Sequence, residues 1–154
     1  MIRTRRGLLA ILFLLGTSGM ASAQSAAIPD GVYLVTDAEE EGAIWLPFLG
    51  IDQEELVSRE RLMALHIASA EAEFDENWGA PIILVTLAET QRETFASLAE
   101  KYHDQRLALV VNGVIVVAPY IREPIRGGQL QIGAHGDLES AEAVADALRN
   151  ARTD

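Results

Sequence analysis

Between Ser69 and Asp75 the side chains alternate: Ala70, Ala72 and Phe74 are apolar, while Ser69, Glu71 and Glu73 are polar. A two-residue period predicts a strand with one face buried. A turn through Asn77 and Gly79 leads into the β-branched run Pro81 to Leu87, which reads as the pairing strand of a hairpin. The period then changes. Phe95, Leu98, Ala99 and Tyr102 stand at i, i+3, i+4 and i+7, the spacing of an amphipathic helix, and Thr90 with Glu93 fits a capping box at its start. Next, RLALVV and VIVVAP flank Asn112-Gly113, the residue pair that most readily takes the positive φ angles of a two-residue hairpin turn. Pro119 ends the second strand. Pro124 and Gly127-Gly128 mark an irregular loop, and QLQIG supplies another short strand. Asp137 stands as N-cap to a last helix with Leu138, Ala141, Ala145 and Leu148 on one face.

Upstream the pattern is looser. Gly31 to Thr36 and Ala43 to Leu46 have strand composition and are joined by the acidic stretch Asp37 to Gly42, which predicts a short hairpin. From Asp52, with Glu55 three residues on, Leu56, Met63 and Ile67 keep near-helical spacing, so a helix is expected there. Strands outnumber helices and the two alternate. The fold class is therefore α+β: a mainly antiparallel sheet with helices packed on one face.

Ahead of all this, Arg3, Arg5 and Arg6 precede the apolar run Leu8 to Leu15, followed by small residues ending Ala21-Ser22-Ala23. This is the layout of a secretory signal peptide, and the apolar run is far shorter than the ~20 residues that span a bilayer. Cleavage is expected after Ala23. That divides the chain into a leader (1–23), an N-terminal extension with the short hairpin and helix (24–66) and an α+β domain (67–154), with 24–154 as one compact unit. No cysteine is present to carry a lipid, so the mature chain is expected free in the periplasm or outside the cell, without a membrane span.

Composition narrows the chemistry. The 154 residues carry 12 basic and 23 acidic side chains, a formal charge of −11. Loss of the leader removes three arginines, so nine basic groups face 23 acidic ones and the charge falls to −14. A nucleic-acid surface needs clustered Lys and Arg, and Lys101 is the sole lysine. The lack of cysteine excludes disulfides, thiolate metal sites and a Cys nucleophile. His66, His103 and His135 are dispersed with no metal-ligand spacing. Ser58, Ser69, Ser97 and Ser140 lack a nucleophile-elbow context, and Glu71 and Glu73 lie on the outward face of a strand. Neither metal, cofactor nor catalytic residue is assigned. Tyr120, Ile121 and Arg122, just past the hairpin, either pack against the sheet or contact a partner, and Gly127 and Gly128 either satisfy turn geometry or let a partner's backbone approach; these five are the candidates for contact with a partner, while Asn112, Gly113 and Asp137 are structural turn and cap positions.

These residues also fall into a familiar order. Phe74-Asp75, Arg106-Leu107-Ala108, Asn112-Gly113, Ala118-Pro119, Glu123-Pro124-Ile125, Gly127-Gly128, Gln131-Ile132 and a closing capped helix run in one register from Ile67 to about Ala151. In that stretch the chain resembles the head of the first periplasmic domain of the SecD/SecDF protein-translocase family. The resemblance implies a non-enzymatic module that assists protein export by engaging emerging polypeptide, while membrane segments of the full proteins use the proton gradient. This chain ends at Asp154, so a stand-alone secreted relative without that coupling is expected. Ala88-Glu89, Asp104 and Gly136 depart from the family pattern, and Asp137 keeps the cap of the last helix.

Two functions follow from different classes. One is a periplasmic accessory module that holds unfolded or extended polypeptide, or a periplasmic or membrane protein partner, along a sheet edge. The other is a small secreted hydrolase using carboxylates and histidines. A hydrolase needs a cleft where His and carboxylate converge; a strand-adding module needs an open edge beside an apolar strip.

Overall fold

The computed structural model describes residues 28–37, 40–123 and 125–151. The expected leader and its cleavage site lie outside them. Among the described residues the order is β1 (Gly31–Val35), β2 (Ile44–Pro47), β3 (Glu54–Ala64), β4 (Ile67–Asp75), β5 (Ala80–Leu87), α1 (Arg92–Lys101), β6 (Leu107–Val111), β7 (Val114–Val117), β8 (Gln129–Gly133) and α2 (Leu138–Arg149). The class is α+β, but the antiparallel strands form two sheets, one ordered β2-β3-β1-β6-β7 and the other β4-β5-β8.

Two upstream expectations are corrected. The segment from Asp52 to Ile67 contains no helix; its main element is β3, an 11-residue strand between β1 and β2. The β1–β3 pairing shifts register twice, between Val32 and Tyr33 and between Tyr33 and Val35. Those irregularities break the two-residue period of β3, so Val57 enters one core and Met63 another. Their spacing then imitates a helix. The short hairpin is also absent, because β1 and β2 lie on opposite sides of β3 rather than beside each other.

The continuous apolar run of β6 follows from its place. Leu107, Leu109 and Val111 enter the main core, which reaches across to Ile83, Val85 and Leu130 of the second sheet and to Phe95 and Leu148 of the helices. Ala108 and Val110 point the other way, into a smaller cluster with Tyr33, Leu46, Val57 and Ile115. A strand buried on both faces has no need of alternation. The five-stranded sheet curls around that smaller cluster until Phe48 bridges Ile115 of β7, where the Leu49 N–H donates to the Ile115 carbonyl at 2.9 Å.

Two local devices hold the elements in place. Asn112 and Gly113 take φ values of 51° and 78°, the positive angles of the two-residue turn that joins β6 and β7. At the start of α1 a single 3₁₀ turn, Glu89–Gln91, precedes the helix, and Gln91 rather than Thr90 is its N-cap. The expected Thr90–Glu93 box does not cap this helix, since no side chain bonds to the cap. The Gln91 side chain is used elsewhere: its amide donates to the Ala64 carbonyl at 2.7 Å and accepts from the His66 N–H at 2.8 Å. It ties the corner where the chain leaves β3 and enters β4.

Candidate functional site

β7 and β8 each end a sheet, and they border a common cavity of about 650 Å³. Val116, Val117 and Ala118 form one wall, Gln131, Ile132 and Gly133 the other, and Val144 of α2 closes one end. Across from α2 lie Phe48, Leu49 and Gln53, carried on the turn between β2 and β3.

The hydrogen-bonding state of the two edges differs. The Leu87 N–H donates to the Gly128 carbonyl at 2.8 Å, and the Ala134 N–H donates to the Pro81 carbonyl at 3.0 Å. In an antiparallel ladder bonded pairs fall at every second residue, so the backbone groups of Leu130 and Ile132 also point to β5. Those of Gln129, Gln131 and Gly133 point away from it, to the open edge. Along β7 the outward groups are largely taken: the Ile115 carbonyl accepts from Leu49 at 2.9 Å, and the Ala118 carbonyl accepts from Arg106 Nε at 3.0 Å. The open edge beside an apolar strip is β8.

The residues expected to make partner contacts do not form one surface. Tyr120 is 60% exposed and Arg122 is exposed, but Ile121 is 2% exposed and belongs to the main core. Its backbone is fixed as well, because the Ile121 N–H donates to the Gln105 carbonyl at 2.9 Å and its carbonyl accepts from Asp104 at 2.8 Å. An apolar contact through Ile121 is therefore corrected. Gly127 and Gly128 have φ of 86° and 72°. Gly128 is buried so closely against Arg92 that a Cβ would stand 2.5 Å from the Arg92 Cγ, which makes its smallness a packing requirement of this loop. Asp137 caps α2, its Oδ1 accepting from the Ser140 N–H at 2.9 Å and from the Ser140 hydroxyl at 2.8 Å. The Ser140 N–H is the chief reason its carboxyl is held below the ordinary 3.8, with the Ser140 hydroxyl second.

His135, Asp137 and Ser140 all border the groove. They do not make a nucleophile with its base, since Ser140 gives its hydroxyl proton directly to Asp137 with no imidazole between them. His103 meets a carboxylate, with Nδ1 3.0 Å from Asp104 Oδ2, but its Nε2 lies 2.8 Å from the Arg122 carbonyl. Both ring nitrogens are thus engaged. His66 is not on a helix; it sits in the link between β3 and β4. Glu71 and Glu73 are exposed on β4.

Sequence reasoning missed Glu55 and Trp45. Glu55 pairs with the Arg106 guanidinium across 51 positions, and Trp45 of β2 is 65% exposed. The helical reading of β3 hid the first, and an exposed tryptophan in a short strand carries no periodic signal.

A family model described as SecDF, P1 head subdomain, matches residues 48–152. The chain belongs to that family. The match starts before β3, so it takes in residues 48–66 of the segment read as an N-terminal extension. Relatives include the protein translocase subunit SecDF of Thermus thermophilus, 33% identical over 89 residues, which are 58% of this chain and 12% of that one. The SecD subunit of Acidaminococcus fermentans is 32% identical over 72 residues, 47% of this chain and 17% of its own length. The chain thus corresponds to less than a fifth of either relative. Two solved structures share the fold at 24% identity. The crystal structure of SecDF in its super-membrane-facing form has a TM-score of 0.54 and covers 77% of this chain and 18% of that one. The structure of SecDF described as a membrane component that enhances protein export has a TM-score of 0.51 and covers 79% and 63%. Within the head subdomain, the family-like pairs Ala118-Pro119 and Gln131-Ile132 stand on opposite walls of the groove. No helix among the described residues is long and apolar enough to cross a bilayer.

Proposed function

We propose that this head subdomain acts without chemistry as a periplasmic accessory of protein export, holding an extended segment of another polypeptide along β8. The observation that carries the reading is the open β8 edge facing a groove with apolar walls at Val116, Ile132 and Val144, bordered also by the charged side chains of Glu55, Arg106 and Glu139. An incoming strand pairs with the outward N–H and C=O groups of Gln129, Gln131 and Gly133, and alternate side chains of the client enter the groove beside Val116, Ile132 and Val144. Backbone pairing is tolerant of sequence, which suits a module that meets many clients. The small apolar wall keeps affinity in the micromolar range or weaker, about 8 kcal/mol or less. Two facts from relatives support the setting: those named above are protein translocase subunits, and one solved neighbour is described as enhancing protein export. Their whole-protein activity is extended here only to the holding of polypeptide. The arginine-flanked apolar leader supports export, and the negative charge of the mature chain favours clients with basic stretches.

The test uses a reduced, unfolded secretory protein titrated against the mature chain and its Gln131→Pro variant. Proline removes an outward N–H while leaving the β5–β8 ladder intact, and edge strands tolerate it. The parent should bind with salt-sensitive affinity, and the variant should melt within a few degrees of the parent yet bind at least several-fold more weakly. Equal binding by a folded variant, or turnover of the client, defeats the proposal.

A further inference from the structure

The three-stranded sheet ends at β4 on the side away from β8. Pro81 and Leu87 bond toward the β8 side, so in the alternating ladder Ile83 and Val85 do the same, while Ile82 and Leu84 turn to β4, opposite Glu73 and Glu71. The backbone groups of Ala70, Ala72 and Phe74 therefore point away from the sheet. Arg149 of α2 fits that direction, since its guanidinium donates to the Ala70 carbonyl. This contact closes one outward group. Among the described residues no hydrogen bond reaches those of Ala72 and Phe74.

Exposed edges are commonly blunted by proline, lysine, a bulge or a covering segment. β4 is nine residues long and has neither proline nor lysine, and its one register shift lies at its start, between Ile67 and Ser69. Its far end is aromatic: Phe74 is 54% exposed, and Trp78, in the turn that follows, is 68% exposed. That turn is braced, because Asp75 Oδ1 accepts from the N–H groups of Asn77 at 2.8 Å and Trp78 at 3.0 Å, and the Asp75 carbonyl accepts from Gly79 at 2.8 Å. Two large rings are thus held in water at the end of an unpaired strand. On the opposite face of β4 stand the exposed Glu71 and Glu73, and the chain has no Lys or Arg between Arg61 and Arg92.

We infer that β4 is a second strand-accepting edge, and that it takes an extended polypeptide segment in which basic and apolar residues alternate. The outward N–H and C=O groups of Ala72 and Phe74 pair with the backbone of such a segment. Every second side chain of the segment then stands directly opposite Glu71 or Glu73, where Lys or Arg is favoured and Asp or Glu is opposed. The side chains between them lie on the face of Ala72 and Phe74, where an apolar group covers the exposed ring. A second copy of this chain is a poorer occupant, because two β4 strands paired antiparallel about Ala72 would set Glu71 of each against Glu73 of the other. The inference does not rest on the β8 groove, whose apolar walls select by a different chemistry.

Three labelled peptides that alternate valine with lysine, serine or glutamate are titrated against the mature chain by fluorescence anisotropy, and amide hydrogen exchange locates the bound peptide. The lysine peptide should bind roughly fivefold tighter than the serine peptide, with the glutamate peptide weakest, and its advantage should shrink at high salt. Exchange should slow at Ala72 and Phe74, with little change at Glu71 and Glu73, whose N–H groups already bond to β5. A Glu71→Gln, Glu73→Gln double variant changes only exposed side chains, so it should fold like the parent, keep the serine affinity and lose the lysine preference. Equal affinity for the lysine and serine peptides, a lysine preference that survives the double variant, or no binding of the lysine peptide at millimolar concentration overturns the β4 site. Protection of Gln129, Gln131 and Gly133 without protection of Ala72 and Phe74 also overturns it, and leaves β8 as the strand-accepting edge. Protection of Ala72 and Phe74 alone upholds the β4 site whatever the fate of the β8 reading.

Discussion

At the scale of single residues, stability is concentrated where the backbone leaves ordinary territory or a helix end needs a partner. Gly113 has φ of 78° with open space around the point where a Cβ would stand, so replacing it costs only backbone strain. Gly113→Val should destabilise by roughly 1 kcal/mol or more, read from urea denaturation, because a β-branched residue resists that region. Asp137 works through charge as well as geometry. Its carboxyl is held below 3.8 in the folded chain by the Ser140 N–H, so its contribution is complete above that value and disappears as pH falls through the lowered one. Asp137→Ala should therefore melt below the parent at neutral pH, and the gap should narrow in strong acid. A gap independent of pH would assign the loss to something other than the capping carboxylate. Both residues were legible in the sequence, since a tight turn and a helix cap each depend on a few neighbours. Ile121 was legible in part: packing against the sheet and contact with a partner both fit an apolar residue just past the hairpin, and the fold places it in the core.

At the scale of elements, the readable ones were those with an unbroken period. The β6–β7 hairpin, α1, α2, and the β4–β5 pair were each carried by alternation, helical spacing or a turn signal. β3 was not, because its register shifts against β1 interrupt the alternation that marks a strand. The split into two sheets was hidden for a related reason: β3 and β4 are separated by only Leu65 and His66, and no turn residue announces the corner. Gln91 makes that corner. Its side chain bonds the Ala64 carbonyl and the His66 N–H, so Gln91→Ala would leave these half-buried backbone groups without those bonds. The variant should lose about 2 kcal/mol or more, visible as a lower urea midpoint. A midpoint like the parent's would show that water replaces the amide there.

At the scale of the whole molecule, the family was legible in the sequence, while the groove was not. Of the family-like pairs along 106–132, Ala118-Pro119 and Gln131-Ile132 border the groove. The sequence offers Tyr120, Ile121, Arg122, Gly127 and Gly128 as contact candidates, whereas the open edge of the second sheet is Gln129 to Gly133. That distinction depends on which backbone groups face outward, and a sequence does not display it. The turn from Phe48 to Gln53 borders the misread segment, and Glu55 lies in it, on β3 where a helix is expected. They complete the groove from the far side of the chain.

Amide hydrogen exchange of the mature chain, with and without an unfolded secretory protein at a saturating concentration, tests the central claim most directly. Pairing along β8 predicts slowed exchange at Gln129, Gln131 and Gly133, with little change at Leu130 and Ile132, whose N–H groups already bond to β5. Protection confined to another edge, spread evenly over β8, or absent at full client occupancy would contradict it.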